Sequence, residues 1–558
     1  MNDPVIVVGG SLTGLTTAIL LASHGVQTIL LERHPTSHPH PRALGLTPRS
    51  MEIYRSVALD GRIPQLPCGF RLRRARVESL MGKWFDEVPW TESSSSSDMY
   101  SWNEYSPCTG GALPQDRIEP ILRARAVELG VDLRLGARLV DFQQNETGVT
   151  VLVQQKQKEY ILRGSYLVAA DGSHSFVRER LGIPRAGRGL LQTVRSVVFR
   201  LPPLEKCLEE GITQFVIDRA DLRCFLTAYR DGRWLLVVYD DEERTEDQFR
   251  QVICSAVGNE TDLDDEVEII TIGRWQVSAL IAESFVARRI FLAGDAAHTL
   301  PPNRGGYGAN TGIDDAHNLA WKLAQVLSGT AGPRLLDTYD AERRPIAQLR
   351  HQQIFARADF QSTDTDHEGE YSSSAGPVYD DVAMEFGQRY LDGALLRKKD
   401  GEMLPAASRP EQWAGMPGTR APHAWIEKQG ETVSTLDLFG RQWTVLSESA
   451  GWMDAVATMH QQQKQQQRSI EKQTLPIQAV HVGIDVRFSE PGEFGRLMGV
   501  SSTGVTLVRP DGYIAWRSEK RVRDPVQTLK KAWKELTGWE DADGAYQSLE
   551  QRPLRAEL

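Results

Sequence analysis

The chain begins with two apolar runs on either side of an amphipathic stretch. Val5–Val8 form the first apolar run, residues 12–24 carry apolar side chains at helical spacing, and residues 27–31 form the second run. Short buried strands flanking a helix are typical of a unit with two parallel strands. The pattern therefore predicts that the chain opens with a Rossmann-like unit.

The pattern then changes twice along the chain. Further predicted elements are a helix at 116–129, strands at 138–145, 149–155, 166–170 and 290–293, and helices at 314–327 and 335–360. Between residues 187 and 283, strand-like segments are separated by turn residues such as Asp231-Gly232. Such spacing is typical of antiparallel strands, so we predict an antiparallel sheet inserted into an α/β framework.

Composition limits the possible classes of protein. A chain of 558 residues with 41% hydrophobic residues is too long for one core, and a net charge of −10 argues against nucleic acid as a partner. No apolar run is long enough for a membrane span, and no targeting segment precedes the first strand. The five cysteines show no C-x-x-C spacing. We therefore expect a soluble cytoplasmic protein without a membrane span, a disulfide framework or a metal site.

The turn after the first strand nearly matches the G-x-G-x-x-G fingerprint of dinucleotide-binding proteins. Gly9 and Gly14 occupy the outer positions, and Ser11 stands where the middle glycine belongs. Serine is small and adds a hydroxyl donor, while the helix N-terminus offers free N–H groups to a diphosphate. Glu32 ends the second strand, where an acidic residue binds ribose. The motif favours a nucleotide site without distinguishing NAD from FAD, and a plain strand-to-helix turn is the alternative.

A second motif follows the strand predicted at 166–170. This strand ends in Asp171-Gly172 and leads into a short helix. The Asp171-Gly172 pair is explained equally well by a ligand-binding role and by a structural role, in which the aspartate caps the helix beside a turn glycine.

The third motif, "RIFLAGDAAHTLPPNRGGYGANTGIDDAHNLAWKLA", is the most informative one. Its strand delivers Gly294-Asp295 at a carboxyl end, where α/β sheets bind ligands. The loop at 300–312 is rich in proline and glycine, which permits close approach of the backbone to a flat ligand. A helix that begins with Asp314 and Asp315 in its first turn should follow. Its N-terminus would stabilise negative charge on that ligand.

Together these motifs resemble those of the single-component FAD-dependent aromatic hydroxylases of the para-hydroxybenzoate hydroxylase type. The closer resemblance is to the branch that acts on polyketides and phenols and carries an additional C-terminal domain. The segments "HPRALGLTPRSMEIYR" and "PQDRIEPILR" match parts that line the cofactor in that branch. The segment "GVTLVRPDGYIAWR" resembles its thioredoxin-like domain, which here contains no cysteine and hence no thiol chemistry.

The resemblance implies an α/β fold of three domains. These are a Rossmann-like FAD-binding domain, an inserted, mostly antiparallel β-sheet domain for the substrate, and a C-terminal thioredoxin-like α/β domain. The expected boundaries are 1–75, 100–186 and 284–360 for the FAD-binding domain, 76–99 and 187–283 for the sheet domain, 361–402 for a linker, and 403–558 for the thioredoxin-like domain without C-x-x-C.

The resemblance also implies which residues bind FAD. Glu32 should bind the adenosine ribose with Arg33 near the adenine, and Arg42 and Gln115 should hold the diphosphate or ribityl region. Asp171 should contribute to the handling of both FAD and NAD(P)H. The expected set, with Asp295 at the ribityl or phosphate groups and the backbone at 308–310 facing the flavin ring, is Gly9, Ser11, Leu12, Thr13, Gly14, Glu32, Arg33, Arg42, Gln115, Asp171, Gly294, Asp295, Pro302, Gly308, Ala309 and Asn310.

The implied activity is a monooxygenase reaction. NAD(P)H would reduce FAD, and O2 would form a C4a-hydroperoxyflavin that hydroxylates a phenolic or polycyclic aromatic substrate of the polyketide or alkaloid kind. NAD(P)H would bind transiently, since no second Rossmann unit is present. Epoxidation, Baeyer–Villiger insertion, and flavin binding without catalysis are the alternatives, and a homodimer is possible.

The substrate is expected between the inserted sheet and the flavin, at a domain interface. No catalytic base can be assigned from the sequence. The polar candidates on the sheet are Arg195, Arg223, Tyr229 and Tyr239. For each, a surface or packing role is an open alternative, because strand alternation does not fix which face points inward.

Overall fold

The computed structural model describes residues 3–38, 40, 43–70, 72–87, 102–208, 211–229, 231–258, 266–302, 306–356, 377–396, 404–466 and 475–539. The strands of the first two domains are β1 (Val5–Val8), β2 (Thr28–Glu32), β3 (Arg74–Val77), β4 (Trp84–Glu87), β5 (Asp132–Leu135), β6 (Ala137–Gln144), β7 (Val149–Gln155), β8 (Lys158–Gly164), β9 (Tyr166–Ala169), β10 (Arg185–Arg200), β11 (Gln214–Asp218), β12 (Arg223–Ala228), β13 (Arg233–Val238), β14 (Glu268–Ala282), β15 (Val286–Ala287), β16 (Ile290–Leu292) and β17 (His298–Thr299). Their helices are α1 (Leu12–Ser23), α2 (Pro48–Arg55), α3 (Trp102–Tyr105), α4 (Gln115–Glu128), α5 (Phe176–Arg180), α6 (Glu246–Val257), α7 (Tyr307–Leu327) and α8 (Thr338–Ala356).

A six-stranded sheet organises the N-terminal domain, with the order β15-β16-β9-β1-β2-β5. All neighbours pair in parallel except β15, which is antiparallel to β16 at the edge. Every residue of β1 and β9 is buried, as expected of parallel strands that helices cover on both faces. The carboxyl ends of β1, β9 and β16 therefore lie side by side, and each is followed by one of the three sequence motifs.

An eight-stranded sheet forms the second domain, with the order β17-β14-β10-β13-β12-β11-β3-β4. Only the β3–β11 pair is parallel, which confirms the mostly antiparallel sheet. Its outer face packs on α6 and includes Val197, Phe199, Leu226 and Leu236. Its inner face is turned toward Leu44 and His40 of the first domain and includes Val194, Ser196, Val198, Leu235 and Val237.

The C-terminal domain has its own strands and helices. The strands are β18 (Trp425–Lys428), β19 (Glu431–Ser434), β20 (Trp443–Ser447), β21 (Ile477–His481), β22 (Arg487–Phe488), β23 (Val505–Val508) and β24 (Ile514–Ser518), and the helices from residue 377 onward are α9 (Asp381–Phe386), α10 (Pro410–Trp413), α11 (Ala450–Gln466), α12 (Glu493–Met498) and α13 (Pro525–Thr537). The central sheet has the order β21-β20-β23-β24, with β20 and β21 parallel and the other pairs antiparallel. This is a thioredoxin-like arrangement.

The structure shifts three of the expected domain boundaries. The eight-stranded sheet begins at Arg74, and it also includes β17, which pairs with the end of β14 although it lies in the range 284–360 expected for the FAD-binding domain. The expected linker at 361–402 contains α9, whose Met384 and Phe386 are buried. Composition concealed α9 because a single short apolar run inside a polar segment carries little periodic signal.

Candidate functional site

The turn between β1 and α1 is built around two glycines. Gly9 has a φ of +104°, and a Cβ there would lie 2.2 Å from the carbonyl oxygen of Ala170. A Cβ on Gly14 would lie 1.8 Å from the carbonyl oxygen of Gly9. Both distances are far shorter than van der Waals contact, so these positions require glycine.

Ser11 is the N-cap residue of α1, yet its side chain does not cap the helix. Its Oγ instead donates to Glu119 Oε1 at 3.0 Å and accepts from Gln115 Nε2 at 2.9 Å. The structure thus brings Gln115 against the start of α1. The N–H groups of Leu12 and Thr13 belong to the first helical turn, which lacks intrahelical acceptors and attracts anions.

Glu32 is anchored at the end of β2, beside this turn. Its Oε2 accepts the N–H of Gly10 at 2.6 Å, and its Oε1 accepts the N–H of His34 at 2.7 Å. Arg33 is exposed next to it, whereas Arg42 lies outside the described residues. The roles predicted for Glu32, Arg33 and Arg42 remain predictions.

Asp171 follows β9 and has one satisfied and one unsatisfied oxygen. Its Oδ2 accepts the N–H of Val177 at 3.1 Å. Its buried Oδ1 has no hydrogen-bond partner within the part of the chain that the structure describes. Burial raises the pKa of this carboxyl above its ordinary value. An unsatisfied buried acceptor at a strand end is suited to a donor from a bound ligand.

Helices α1 and α7 cross where the first and third motifs meet. A Cβ on Gly294 would lie 2.6 Å from Thr13 Oγ1, and a Cβ on Gly312 would lie 2.2 Å from the same atom. Gly294 also has a φ of +61°, in the left-handed region. Thr13 therefore fits into a notch formed by two glycines, and the two distant motifs lie in direct contact.

Asp315 of α7 holds this crossing in place. Its Oδ2 accepts the N–H of Gly294 at 3.1 Å and contacts His298 Nε2 at 2.7 Å, while Arg343 Nε donates to its Oδ1 at 2.8 Å. Burial alone would raise the pKa of Asp315, but the attraction of His298 and Arg343 lowers this pKa to about 2. The carboxylate is thus ionised and fixes the turn that carries Asp295.

Helix α7 begins earlier than the sequence predicted. It starts at Tyr307, about two turns before Asp314, so Asp314 and Asp315 lie inside the helix and not in its first turn. The prediction was wrong because Gly308 and Gly312 have low helix propensity. Tertiary packing outweighs this low propensity, because the close crossing with α1 requires a residue without a side chain at position 312.

The first turn of α7 contains Gly308 and Ala309, whose small size would let a ligand approach the backbone closely. A Cβ on Gly308 would lie 3.9 Å from Asp295 Oδ1, so this carboxylate faces the same turn. Pro302 is exposed just before it, and residues 303–305 lie outside the described part of the chain.

Asn310, also in the first turn, is buried and joins α7 to α2. Its Oδ1 accepts hydrogen bonds from Ser50 Oγ at 2.6 Å and from the N–H of Thr47 at 3.1 Å. Its Nδ2 donates to the carbonyl oxygen of Gly306 at 2.9 Å. No local sequence pattern pairs Asn310 with α2, because the partners are about 260 residues apart.

These features fit FAD, a long ligand with a diphosphate in its middle. The glycine turn and the start of α1 suit the diphosphate, while the unsatisfied Oδ1 of Asp171 and the carboxylate of Asp295 suit hydroxyl groups. The first turn of α7 offers backbone N–H groups to a ring that becomes negatively charged on reduction.

The four candidates on the sheet lie on different faces. Arg195 lies on the outer face, with its Nε 3.2 Å from Asp241 Oδ1. Arg223, Tyr229 and Tyr239 alternate to the inner face, where Tyr229 is buried and Arg223 and Tyr239 are partly exposed. Burial raises the pKa of Tyr229, so its hydroxyl stays protonated at neutral pH.

Sequence reasoning missed a polar group on the inner face. Ser196 Oγ contacts His40 Nε2 at 2.8 Å and accepts from Trp275 Nε1 at 3.0 Å. A Cβ on Gly273 would lie 3.1 Å from the His40 ring, so the glycine leaves room for the imidazole. The alternation of β10 places Ser196 opposite Arg195, but only the structure shows which of the two points inward.

The fold and this site define a flavoprotein in which a Rossmann-like domain and an inserted sheet share an interface. Residues 2–353 match the family model "FAD binding domain", and residues 414–539 match "Aromatic-ring hydroxylase, C-terminal". The chain therefore belongs to the FAD-dependent aromatic hydroxylases, and it is a FAD-dependent monooxygenase.

Known relatives align over nearly the whole chain. The chain is 36% identical over 548 residues to a 4-methyl-5-nitrocatechol 5-monooxygenase of Burkholderia sp, covering 95% of this chain and 96% of that protein. It is 37% identical over 556 residues to aklavinone 12-hydroxylase of Streptomyces purpurascens, covering 95% and 98%. The crystal structure of a ternary complex of aklavinone-11 hydroxylase with FAD and aklavinone superimposes with a TM-score of 0.84 at 33% identity, covering 96% of this chain and 100% of that one.

Across the ranges given above, no helix is both long and apolar enough to cross a membrane.

Proposed function

We infer that this monooxygenase uses NAD(P)H and O2 to hydroxylate a phenolic, polycyclic aromatic substrate held between the inner face of the sheet and the FAD-binding domain. The relatives act on rings of different size, because one is named for a nitrocatechol and another for aklavinone. The breadth of the inner face favours the larger class.

The inner face is a broad apolar surface, and this observation carries the proposal. Besides the residues named above, it includes partly buried Phe225 of β12 and Ile270, Trp275 and Val277 of β14, with Leu44 opposite them on the FAD-binding domain. An apolar wall that carries the rings of Phe225, Tyr229 and Trp275 suits a fused-ring ligand, which buries a large apolar area on binding.

His40 and Ser196 form a buried polar pair at the edge of this wall. Ser196 is completely buried and His40 is nearly so. Because Trp275 donates to Ser196, the serine hydroxyl is free to donate to His40 Nε2. We propose that this buried pair fixes the edge of the inner face and helps to keep water away from the bound substrate.

The cofactor residues have distinct tasks in this scheme. FAD, when bound, takes electrons from NAD(P)H and uses them to activate O2. We propose that the start of α1 with Ser11 and Gln115 binds its diphosphate and that Glu32 binds its ribose. Asp295 and the N–H groups at 308–310 would hold the flavin end, and Asp171 would take part in nicotinamide handling.

The proposed substrate class is tested with purified, FAD-loaded enzyme. A tetracyclic phenol should stimulate NAD(P)H oxidation and give a product 16 mass units heavier, as insertion of one oxygen atom requires. Nitrocatechol should stimulate oxidation far less. A hydroxylated product from nitrocatechol but none from any polycyclic phenol would overturn the proposal.

A pair of variants on opposite faces of one sheet tests the proposed pocket. Phe225→Ala should raise KM for the polycyclic phenol roughly tenfold, because a buried aromatic contact contributes about 1–2 kcal/mol. Arg195→Gln on the outer face is the matched control and should leave KM unchanged. Equal effects of the two substitutions would place the substrate elsewhere.

We also propose that the enzyme acts in the cytoplasm, because none of its five cysteines forms a disulfide. The homodimer stays a prediction.

A further inference from the structure

Helix α2 is held from two sides. On one side, Ser50 and the N–H of Thr47 bind the carboxamide of Asn310 in the first turn of α7. On the other side, three α2 side chains at spacing i, i+3 and i+6 point to the C-terminal domain. These side chains are Arg49, Glu52 and Arg55.

Each of the three side chains meets a different part of the C-terminal domain. Arg49 Nη2 donates to the carbonyl oxygen of Asp511 at 3.4 Å. Arg420 binds both carboxylate oxygens of Glu52, with its Nε 3.0 Å from Oε2. Arg55 binds both oxygens of Asp437, at 2.8 and 3.0 Å. Two of these contacts are bidentate, which fixes orientation as well as distance.

Among these three contacts, the one between Arg420 and Glu52 constrains the position of α2 most strongly, because it is buried. The side chains of Arg420 and Glu52 are only 2% and 3% exposed, so neither can exchange its partner for water. A buried bidentate pair tolerates little displacement, because movement of either group leaves a charge unpaired. The position of α2 along this interface is therefore set by the C-terminal domain.

The charged side of α2 also makes contacts inside the FAD-binding domain, where Arg420 donates to the carbonyl oxygen of Tyr105 and Arg55 pairs with Asp60 at 3.0 Å. Arg49 Nη1 is bound to Glu52 Oε2 at 3.0 Å, and its Nε lies 3.5 Å from Asp314 Oδ1. Arg49 therefore couples the same ion pair to α7, one turn beyond Asn310. The charges of both helices form one connected group with Arg420.

We propose that the C-terminal domain is a positioning element for the flavin site, and that Arg420 acts through Glu52 and α2 on the carboxamide of Asn310. The domain lacks the thiols that give thioredoxin-like domains their redox chemistry, and this role gives it a function in the same molecule. The inference rests on the proposed placement of FAD against the first turn of α7. Arg420 is a positioning residue, since it acts on the cofactor only through other groups.

The test measures the affinity of the full-length protein for FAD, well below the unfolding temperature. We expect Arg420→Met and Ser50→Ala each to raise the FAD dissociation constant roughly tenfold, the usual size of such coupling. In the double variant the effects should be far less than additive, because both substitutions break one chain of contacts. The absorption band of bound FAD should shift alike in all three variants.

The outcomes separate the two proposals. If Ser50→Ala leaves the FAD affinity unchanged, the proposed placement of the cofactor is wrong. If Ser50→Ala weakens FAD binding but Arg420→Met does not, or if their effects add fully, the positioning role is wrong. Lower thermal stability with unchanged affinity and spectrum would indicate a merely structural role.

Two further variants keep the test decisive. Arg55→Ala removes a partly exposed contact between α2 and the C-terminal domain. If Arg420→Met does not fold, Arg55→Ala takes its place in the comparison of single and double variants with Ser50→Ala. We expect it to weaken FAD binding in the same direction by a smaller factor. Arg496→Ala breaks an exposed ion pair of the C-terminal domain with Glu490 and should change neither affinity nor spectrum.

Discussion

The FAD-binding domain meets its two neighbours through surfaces of opposite chemistry. Toward the C-terminal domain it presents buried charges, with Glu342 bound to Arg509 at 2.8 Å and Glu52 bound to Arg420. Toward the inserted sheet it presents Leu44 and His40 to an apolar wall. A buried ion pair is shielded from solvent, so each charge must keep its partner in place. An apolar contact is not specific in this way, and a bound apolar ligand can replace it. We therefore expect the charged interface to hold the site in a fixed geometry and the apolar interface to accept the substrate.

The largest expected effect is at the charged interface, with Glu342→Ala. Glu342 Oε2 accepts from Lys322 Nζ at 2.8 Å, and both oxygens accept from Arg509, so the substitution removes the carboxylate bound to buried Lys322 and one of the two carboxylates bound to buried Arg509. We expect a loss of about 3–5 kcal/mol in the free energy of unfolding, measured in urea. Glu490→Ala at an exposed pair is the control and should cost less than about 0.5 kcal/mol. Similar losses in the two variants would refute the distinction between the interfaces.

A pH-dependent effect is expected from Glu385, which lies in α9 beside α2. Its Oε1 accepts the N–H of Arg49 at 3.0 Å, and burial raises its pKa from 4.5 to about 7. The stability contributed by the protonated form is complete below about pH 4.5 and is lost as the pH rises through 7. The wild-type protein should lose about 3 kcal/mol over this range from Glu385 alone.

Glu385→Gln removes this titration and keeps an acceptor for Arg49. Its unfolding free energy should fall less steeply between pH 4.5 and 7 than that of the wild type, as urea titrations at several pH values would show. Glu490→Gln is the control at an exposed site. Parallel pH profiles for the wild type and Glu385→Gln would contradict the raised pKa.

A smaller effect is expected at the apolar interface, with Trp275→Phe. The substitution removes the hydrogen bond to Ser196 and keeps most of the ring surface, so it should cost about 1 kcal/mol. Trp84→Phe, at a partly exposed tryptophan of the same sheet, is the comparison in thermal unfolding. A loss as large as that of Glu342→Ala would show that the two interfaces are equally rigid.

The smallest effect is expected from Arg195→Gln on the outer face. Its contacts with Asp241 and Glu243 lie at the surface of the sheet, and such pairs contribute less than about 1 kcal/mol. Stability and substrate-dependent NAD(P)H oxidation should both stay close to wild type. A strong loss of substrate-dependent NAD(P)H oxidation would indicate that Arg195 contributes to the substrate pocket.

The sequence by itself determined the elements whose signal is local. The apolar runs of β1 and β2 and the glycines of the first turn predicted the Rossmann-like domain, and the resemblance carried by these motifs and the Gly294-Asp295 strand end predicted FAD, as the family comparison confirms. Glycine at positions 9 and 14 is required by contacts within one short turn. Such requirements are visible in a single stretch of sequence, because the interacting atoms are close along the chain.

Only the tertiary structure decided the start of α7, the inward face of the sheet and the partners of Asn310. Each depends on atoms that are distant in sequence: Thr13 against Gly312, His40 against Ser196, and Ser50 against Asn310. Strand alternation gives two equivalent faces, and helix propensity disfavours glycine regardless of what crosses it. Long-range packing removes both ambiguities, because contacts with residues distant in sequence select one face of the sheet and require glycine where α1 meets α7.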